Sequence, residues 1–389
     1  MNLAILHPEV QDFINKNLNN NISKLLFKGS PFDGITIQEL AEQLEAKKKC
    51  QSKLPSWFKV QFIYYPNKLN IEQTSSEITA NYKTTITAGN TLIDLTGGFG
   101  VDAYYFSKQF KEVTHCEINE ELSAIVKHNF QQLNAPIKTV AGNGFDYLTS
   151  QKRDYDWIYI DPSRRNDIKG KVFLLKDCFP NVPENLDILF EFTNKLLIKV
   201  SPILDITSAI NELKFVKEIH VVAVNNEVKE LLFYLEQNFE DTIVIKTINN
   251  TSKQPQLFEA HYKNQVAATY SLPLTYLYEP NAAILKAGLF NDITRLKVKK
   301  LHINSHLYTA ETLLDFPGRR FMIKDCIPYQ KKQLTKLISA KKANITTRNF
   351  PETVTQIRKK IGFKEGGDVY LFFTTNLEQK HIVLVCEKV

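Results

Sequence analysis

The chain has 389 residues, 43% hydrophobic and 23% charged, with a net charge of +7, which fits a globular protein of two or three domains. No apolar run approaches the roughly 18–20 residues of a membrane-spanning helix. The five scattered cysteines form no C-x-x-C pair and the eight histidines no metal-like spacing, so neither a disulfide framework nor a metal site is expected.

The opening MNLAILHPEV has no basic region, sustained apolar core or small-residue cleavage site, and the expected location is cytoplasmic. Residues 1–85 read as a helical region. HPEVQDFINKNL has helical apolar spacing. TIQELAEQLEAKKK opens with Thr36 and Glu39 as a capping box and ends in lysines that suit a helix C-terminus. LPSW then breaks the run. Just before the first strand, Gln73, Ser75, Ser76 and Glu77 form a polar cluster, whose Ser-Ser-Glu run reads as a helix cap.

From 86 to 265, strands are expected at Thr91–Asp94, Glu112–Glu117, Ile137–Ala141, Trp157–Asp161, Leu196–Val200, Ile219–Val224 and Thr242–Thr247. Most are separated by helical stretches, among them EELSAIVKHNFQQL, with Leu122, Ile125, Val126 and Phe130 on one face. This alternation predicts an α/β fold, a doubly wound Rossmann-like sheet that binds its ligand at the carboxyl ends of the strands. After residue 265 the pattern becomes mixed, and small α+β modules are expected at 270–320 and 321–389.

The stretch TLIDLTGGFGVD, residues 91–102, runs from a strand through an acid into a glycine cluster. Gly98, Gly100 and Ala103 fit a loose G-x-G-x-x-A dinucleotide pattern. Asp94 argues against it, because a carboxylate there would repel a pyrophosphate at the helix N-terminus. A cofactor with a positive group facing the turn would use the acid. The ammonium of S-adenosylmethionine is such a group.

The stretch resembles the first motif, D-x-G-x-G-x-G, of the class I S-adenosylmethionine-dependent methyltransferases. Asp94, Thr96, Gly98 and Gly100 hold its positions, with an extra Gly97 and with Thr96 in place of the first glycine. The resemblance implies that Glu117, ending the second strand in VTHCEIN, accepts the ribose hydroxyls. It implies that Asn143, or else Asp146, in VAGNGFDYL meets the adenine edge. The fourth motif falls at Asp161 in YIDPSRRND.

Amino-methylating members read D/N/S-P-P-Y/F/W at that motif. Here Asp161 and Pro162 are kept, Ser163 replaces the second proline, Arg164 replaces the aromatic, and Arg165 follows. This is closer to the D-P-P-R variant of some RNA base methyltransferases. Asp161 is the expected proton or hydrogen-bond acceptor. Arg164 and Arg165 are expected to hold a phosphate or stack on a base, or else to pair with Asp167. Lys199, in LLIKVSP, faces the same sheet edge and either contacts substrate or snorkels to the surface. Cys178 is the one thiol placed to serve carbon methylation.

Residues 292–389 hold 19 Lys plus Arg against 9 Asp plus Glu, a net +10, while the remainder carries 30 and 33, a net −3. That asymmetry fits a polyanion, RNA first, or else a solvated lysine-rich surface. Lys341, Lys342, Arg348, Arg358, Lys359, Lys360 and Lys364 supply much of it, with Arg348, Arg358, Lys359 and Lys360 as candidate RNA contacts. The interleaved Phe350, Phe363 and Tyr370 read as core. YEPNAAILKAG with LHINSHLYTAETLLDFPGRRFMIKD resembles the ferredoxin-like module of a bacterial methyltransferase group. KANITTRNFPETVTQIRKKIGFKEGGDVYLFFTT resembles that group's THUMP-like domain. The implied function is methylation of a base nitrogen in tRNA or rRNA. A small-molecule or protein methyltransferase, and a non-catalytic RNA-binding protein of the same fold, remain open.

Overall fold

The computed structural model describes residues 1–27, 29–164, 174–338 and 341–389, with the backbone but not the side chain of Arg164. Arg165 and Asp167 lie outside the described residues. The chain packs as two compact units, Met1–Glu218 with Lys229–Asp241, and Ile219–Val228 with Thr242–Val389. Among the described residues no helix is long and apolar enough to cross a membrane.

The first unit opens with α1 (Pro8–Asn17), α2 (Ile22–Leu26), α3 (Ile37–Lys53), α4 (Pro55–Phe58), α5 (Lys68–Gln73) and α6 (Glu77–Thr84). α3 starts with the expected capping box: Glu39 N donates to Thr36 Oγ1 at 3.2 Å and Thr36 N to Glu39 Oε2 at 2.8 Å. It ends at Lys53, and α4 opens on Pro55. The buried extended stretch Tyr64–Tyr65 satisfies its backbone with side-chain amides. Tyr64 N donates to Asn129 Oδ1 and Asn129 Nδ2 to Tyr64 O, both at 2.9 Å, and Tyr65 N donates to Gln43 Oε1 at 3.0 Å. Buried backbone groups must be paired. The Asn129 amide, on α8, fastens this stretch to the sheet domain, and the Gln43 amide holds it to α3.

The strands that follow are β1 (Thr91–Asp94), β2 (Glu112–Glu117), β3 (Ile137–Ala141), β4 (Trp157–Ile160), β5 (Ser163–Arg164), β6 (Cys178–Phe179), β7 (Lys195–Val200), β8 (Val216–Val224) and β9 (Glu227–Glu236). Between them run α7 (Val101–Phe106), α8 (Glu120–Gln132), α9 (Gly144–Gln151), α10 (Val182–Leu189) and α11 (Ile206–Glu212). The first unit's strand order is β9-β7-β4-β1-β2-β3. All pairs are parallel except β7 with β9. The chain winds one way from β1 through β2 to β3, and the other way from β4 through β7 to β9. Loops leaving the carboxyl ends of β1 and β4 therefore diverge and open a crevice.

β9 was not among the expected strands. Glu230–Leu235 are all buried, so the strand lacks the alternation that would mark it. Asn225 and Asn226, both at positive φ, form the turn that leads into it. The expected strand Trp157–Asp161 stops at Ile160, which leaves Asp161 at the crevice rim.

In the second unit, β10 (Val244–Asn250) and β11 (Gln256–His261) form an antiparallel pair. After them come β12 (Tyr276–Pro280), β13 (Lys299–Lys300), β14 (Tyr308–Ala310), β15 (Gly318–Pro328), β16 (Asn344–Arg348), β17 (Val369–Thr375) and β18 (His381–Lys388). These seven form one sheet in the order β13-β14-β12-β15-β18-β17-β16. The stretches read as two C-terminal modules thus share a single sheet. Alternation in β17 and β18 sends Leu371, Phe373, Val383 and Val385 to one core, and Phe372, Leu384 and Cys386 to another. Phe363 is buried, and Phe350 and Tyr370 pack against these cores, as expected.

Candidate active site

A cleft of about 1080 Å³ opens at the carboxyl ends of the first unit's strands. Its floor is the turn after β1. Asp94 is 1% exposed there and accepts the Thr96 N–H at 3.0 Å. Burial pushes its carboxyl well above the usual range, against the pull of that bond. Thr96, the departure from the glycine motif, has a structural task. Its Oγ1 accepts the Asp161 N–H at 2.6 Å and so ties the end of β4 to the end of β1. A glycine could not make that bond.

The other glycines differ in role. Gly97 donates its N–H to Cys116 O at 2.8 Å. A Cβ on it would stand 2.1 Å from His115 Nε2, so the buried ring beneath the turn demands glycine. Burial holds that imidazole down to about 4, hence neutral. Gly98 has φ +54° and lines the cleft. Gly100 does not line it. At φ +80° it starts α7, and a Cβ there would meet Phe130 at 2.6 Å. Gly100, which the resemblance places with the cofactor, is also constrained by packing against α8.

On the β2–β3 side, Glu117 is clamped by two backbone donors. Gly98 N reaches its Oε2 at 2.8 Å, and Asn119 N its Oε1 at 2.7 Å. A carboxylate has about four lone-pair sites, so capacity for two hydroxyl donors remains. Asn143 also lines the cleft. Its carbonyl caps α9 by accepting the Phe145 N–H at 2.9 Å, which leaves its NH₂ as the group able to meet a ligand. Asp146, the alternative, is not a lining residue. Sequence reasoning passed over Ile118, 59% exposed beside Glu117, and Phe145, both in the lining. A large apolar side chain exposed directly after a strand-ending acid was the available signal.

On the β4–β7 side, Asp161 forms an ion pair with Lys199. Burial pulls the Lys199 ammonium down, but Asp161, Asp102 and Glu230 outweigh it and hold it above the ordinary lysine range. Lys199 is therefore a buried partner of the expected acceptor group and no snorkelling side chain. Beneath this pair is a second buried network. Lys83 Nζ lies 3.1 Å from Asp102 and 2.8 Å from Glu230. Ser75 Oγ and Tyr159 OH each donate to Asp102 at 2.8 Å.

Of the polar cluster before β1, Gln73 and Ser75 line the cleft. Ser76 instead caps α6, accepting the Thr79 N–H at 3.3 Å, and Glu77 accepts the Ser56 N–H at 2.6 Å. Cys178 is fully buried and is not a lining residue. The side chains of Arg164 and Arg165 lie outside what is described.

In the second unit, Arg348 pairs with Glu279 at 2.7 Å and Lys360 with Glu352 at 2.8 Å. Arg358 donates to the carbonyls of Ala343 and Phe363, at 3.3 and 3.4 Å. Of the four candidate RNA contacts, Lys359 alone is exposed and meets no carboxylate among the described residues.

A solved structure described as a "putative methyltransferase from Porphyromonas gingivalis W83" matches the whole arrangement. It covers 99% of this chain and 98% of its own, at 31% identity and a TM-score of 0.86. The chain belongs to the class I S-adenosylmethionine-dependent methyltransferases. Within them it falls in the bacterial group with a ferredoxin-like module and a THUMP-like domain. Family models for a ferredoxin-like domain and a THUMP domain-like region match residues 276–317 and 318–388. No curated protein matches. Two other solved structures align over less of the chain. A SAM-dependent methyltransferase from Agrobacterium tumefaciens covers 32% of this chain and 43% of its own, at 20% identity and a TM-score of 0.25. A tRNA (uracil-54, C5)-methyltransferase from Pyrococcus abyssi, in complex with S-adenosyl-L-homocysteine, covers 42% and 39%, at 15% identity and 0.29. The family assignment rests on the P. gingivalis protein.

S-adenosylmethionine is this methyltransferase family's cofactor, and the residues fit it. The Glu117 carboxylate suits a ribose diol, and Ile118, Phe145 and the Asn143 amide suit a purine. The floor at Asp94, beside Gly97 and Gly98, suits a cationic amino-acid end.

Proposed function

We propose that the protein methylates RNA, with a base nitrogen of tRNA or rRNA as acceptor. The observation that carries this reading is the division of one cleft by β1. Glu117 and Asn143, after β2 and β3, supply a nucleoside-binding half. Asp161, after β4, supplies a carboxylate in the other half. When bound, the cofactor supplies an electrophilic methyl group. The chain's part is to align the acceptor nitrogen and receive its proton after the N–C bond has formed. Asp161 would do both, anchored by Thr96 and paired with Lys199. The RNA substrate is supported by the THUMP domain-like region and the excess positive charge of residues 292–389.

The test has two stages. Calorimetric titration with S-adenosylmethionine should give micromolar binding, weakened at least tenfold by Glu117→Ala. Transfer of a tritiated methyl group to total RNA should follow, and Asp161→Ala should abolish it with cofactor affinity kept. Full activity in Asp161→Ala would remove that residue from the mechanism. Turnover on a small molecule or protein, with none on RNA and no dependence on salt, would overturn the substrate class.

A further inference from the structure

The fourth motif lacks the aromatic that amino-methylating relatives place after their prolines, yet the cleft has a ring there. Ser163 and Arg164 form β5, which pairs antiparallel with β6 in the register Ser163↔Phe179 and Arg164↔Cys178. Residues directly opposite in such a pair share a face of the ladder. Cys178 is fully buried, whereas Ser163 is exposed and Phe179 is 47% exposed. The Ser163–Phe179 face is therefore the open one, and both residues line the cleft with Asp161, Pro162, Pro180 and Asn181.

We propose that Phe179 is the stacking platform for the acceptor base, delivered from β6 in place of the ring absent from the DPSRR motif. The position lies on the β4 side of β1, away from Glu117 and Asn143, so the ring belongs to the acceptor half. A phenylalanine left half exposed in a cleft, paired with a residue two positions after Asp161, offers a flat apolar surface beside a hydrogen-bond acceptor. An amino-bearing base, unpaired or turned out of a helix, needs both: a face to lie on and an acceptor for its N–H. Ring stacking tolerates any base, so Phe179 would set planarity, and Asp161 would set which edge is presented.

This inference rests on the RNA reading, and its test separates the two. The full-length Phe179→Trp variant carries a reporter indole in the cleft. The natural Trp57 and Trp157 are buried, at 0% and 2% exposure, and give a steady background. With S-adenosylhomocysteine present, single-stranded adenine and cytosine decamers should quench the new fluorescence saturably. An abasic decamer of equal charge should not. In methyl transfer to total RNA, Phe179→Ala and Phe179→Leu should each raise KM roughly ten- to a hundredfold, the range expected for losing one base stack. Phe179→Tyr should restore it, and cofactor affinity should not change.

Equal quenching by the abasic strand, or a leucine variant as active as the wild type, would overturn the platform. If the wild type methylates no RNA, the substrate reading falls, and the quenching titration still decides whether position 179 meets bases. Quenching by a free aromatic small molecule but by no oligonucleotide would assign the ring to another substrate.

Discussion

Asp94 is a carboxyl group that the cofactor-free protein holds at a cost. Burial raises its pKa, and one backbone N–H only partly offsets that. A group raised in the folded state favours folding least once it must ionise. Its contribution is therefore lost as pH rises from the ordinary carboxylate value through the raised one. Asn at this position keeps the acceptor for Thr96 N and removes the charge. Asp94→Asn should thus stabilise the cofactor-free protein above neutral pH, with the gain shrinking as the buffer is taken toward pH 4. The same substitution should weaken S-adenosylmethionine binding at least tenfold, because the ammonium loses its counter-charge. Denaturant melts at pH 5 and pH 8, paired with calorimetry at pH 8, read both. A variant that is neither more stable nor weaker in binding would mean that Asp94 serves only to shape the turn.

At the scale of the element, the turn from β1 to α7 is built around what lies beneath it. The His115 ring fills the space a Gly97 side chain would occupy. Gly97→Ala should therefore cost about 1–3 kcal/mol by overpacking and weaken cofactor binding as the turn shifts. If the ring is the cause, Gly97→Ala in a His115→Ala background should cost markedly less, and a double-mutant cycle measures the difference. Additive losses would put the constraint in the backbone instead. Asp94 and its glycines marked this turn, and the family resemblance marked Glu117, Asn143 and Asp161 at or just beyond the ends of expected strands. Those readings were available because strand ends and turns are local events. What depended on distant partners was not available. Thr96 looked like a defect in the motif until its hydroxyl met the Asp161 N–H. Lys83 drew no attention in a helix, yet it is buried between Asp102 and Glu230, the latter on a strand that gave no alternating pattern. Gly100 fitted the motif by spacing, and its packing against Phe130 could not be read from the motif.

At the scale of the whole molecule, the excess charge of residues 292–389 is not uniformly available to a partner. Arg348, Arg358 and Lys360 have protein partners. Lys341, Lys342, Lys359 and Lys364 are exposed and meet no carboxylate among the described residues. Lys342 and Lys364 are joined by a backbone bridge, and Gly366 lies against the Lys342 side chain, so these two side chains project from paired backbone. An ammonium already engaged by a carboxylate releases few counterions on meeting a phosphate, whereas a free one releases nearly its full share. The four exposed lysines should therefore carry most of the salt dependence of RNA binding. Replacing all four with glutamine should lower the slope of log affinity against log salt by about 3 for a single-stranded RNA, at roughly 0.7 for each phosphate no longer neutralised. Arg348→Gln should instead act mainly on stability, because it leaves the 3%-exposed Glu279 with one partner fewer. Filter binding from about 50 to 300 mM salt, a range over which several phosphate-neutralising charges change affinity by orders of magnitude, distinguishes the two variants. S-adenosylmethionine titration is the control that both leave unchanged. An unaltered slope in the quadruple variant would mean that this face does not carry the RNA and that its charge serves solubility.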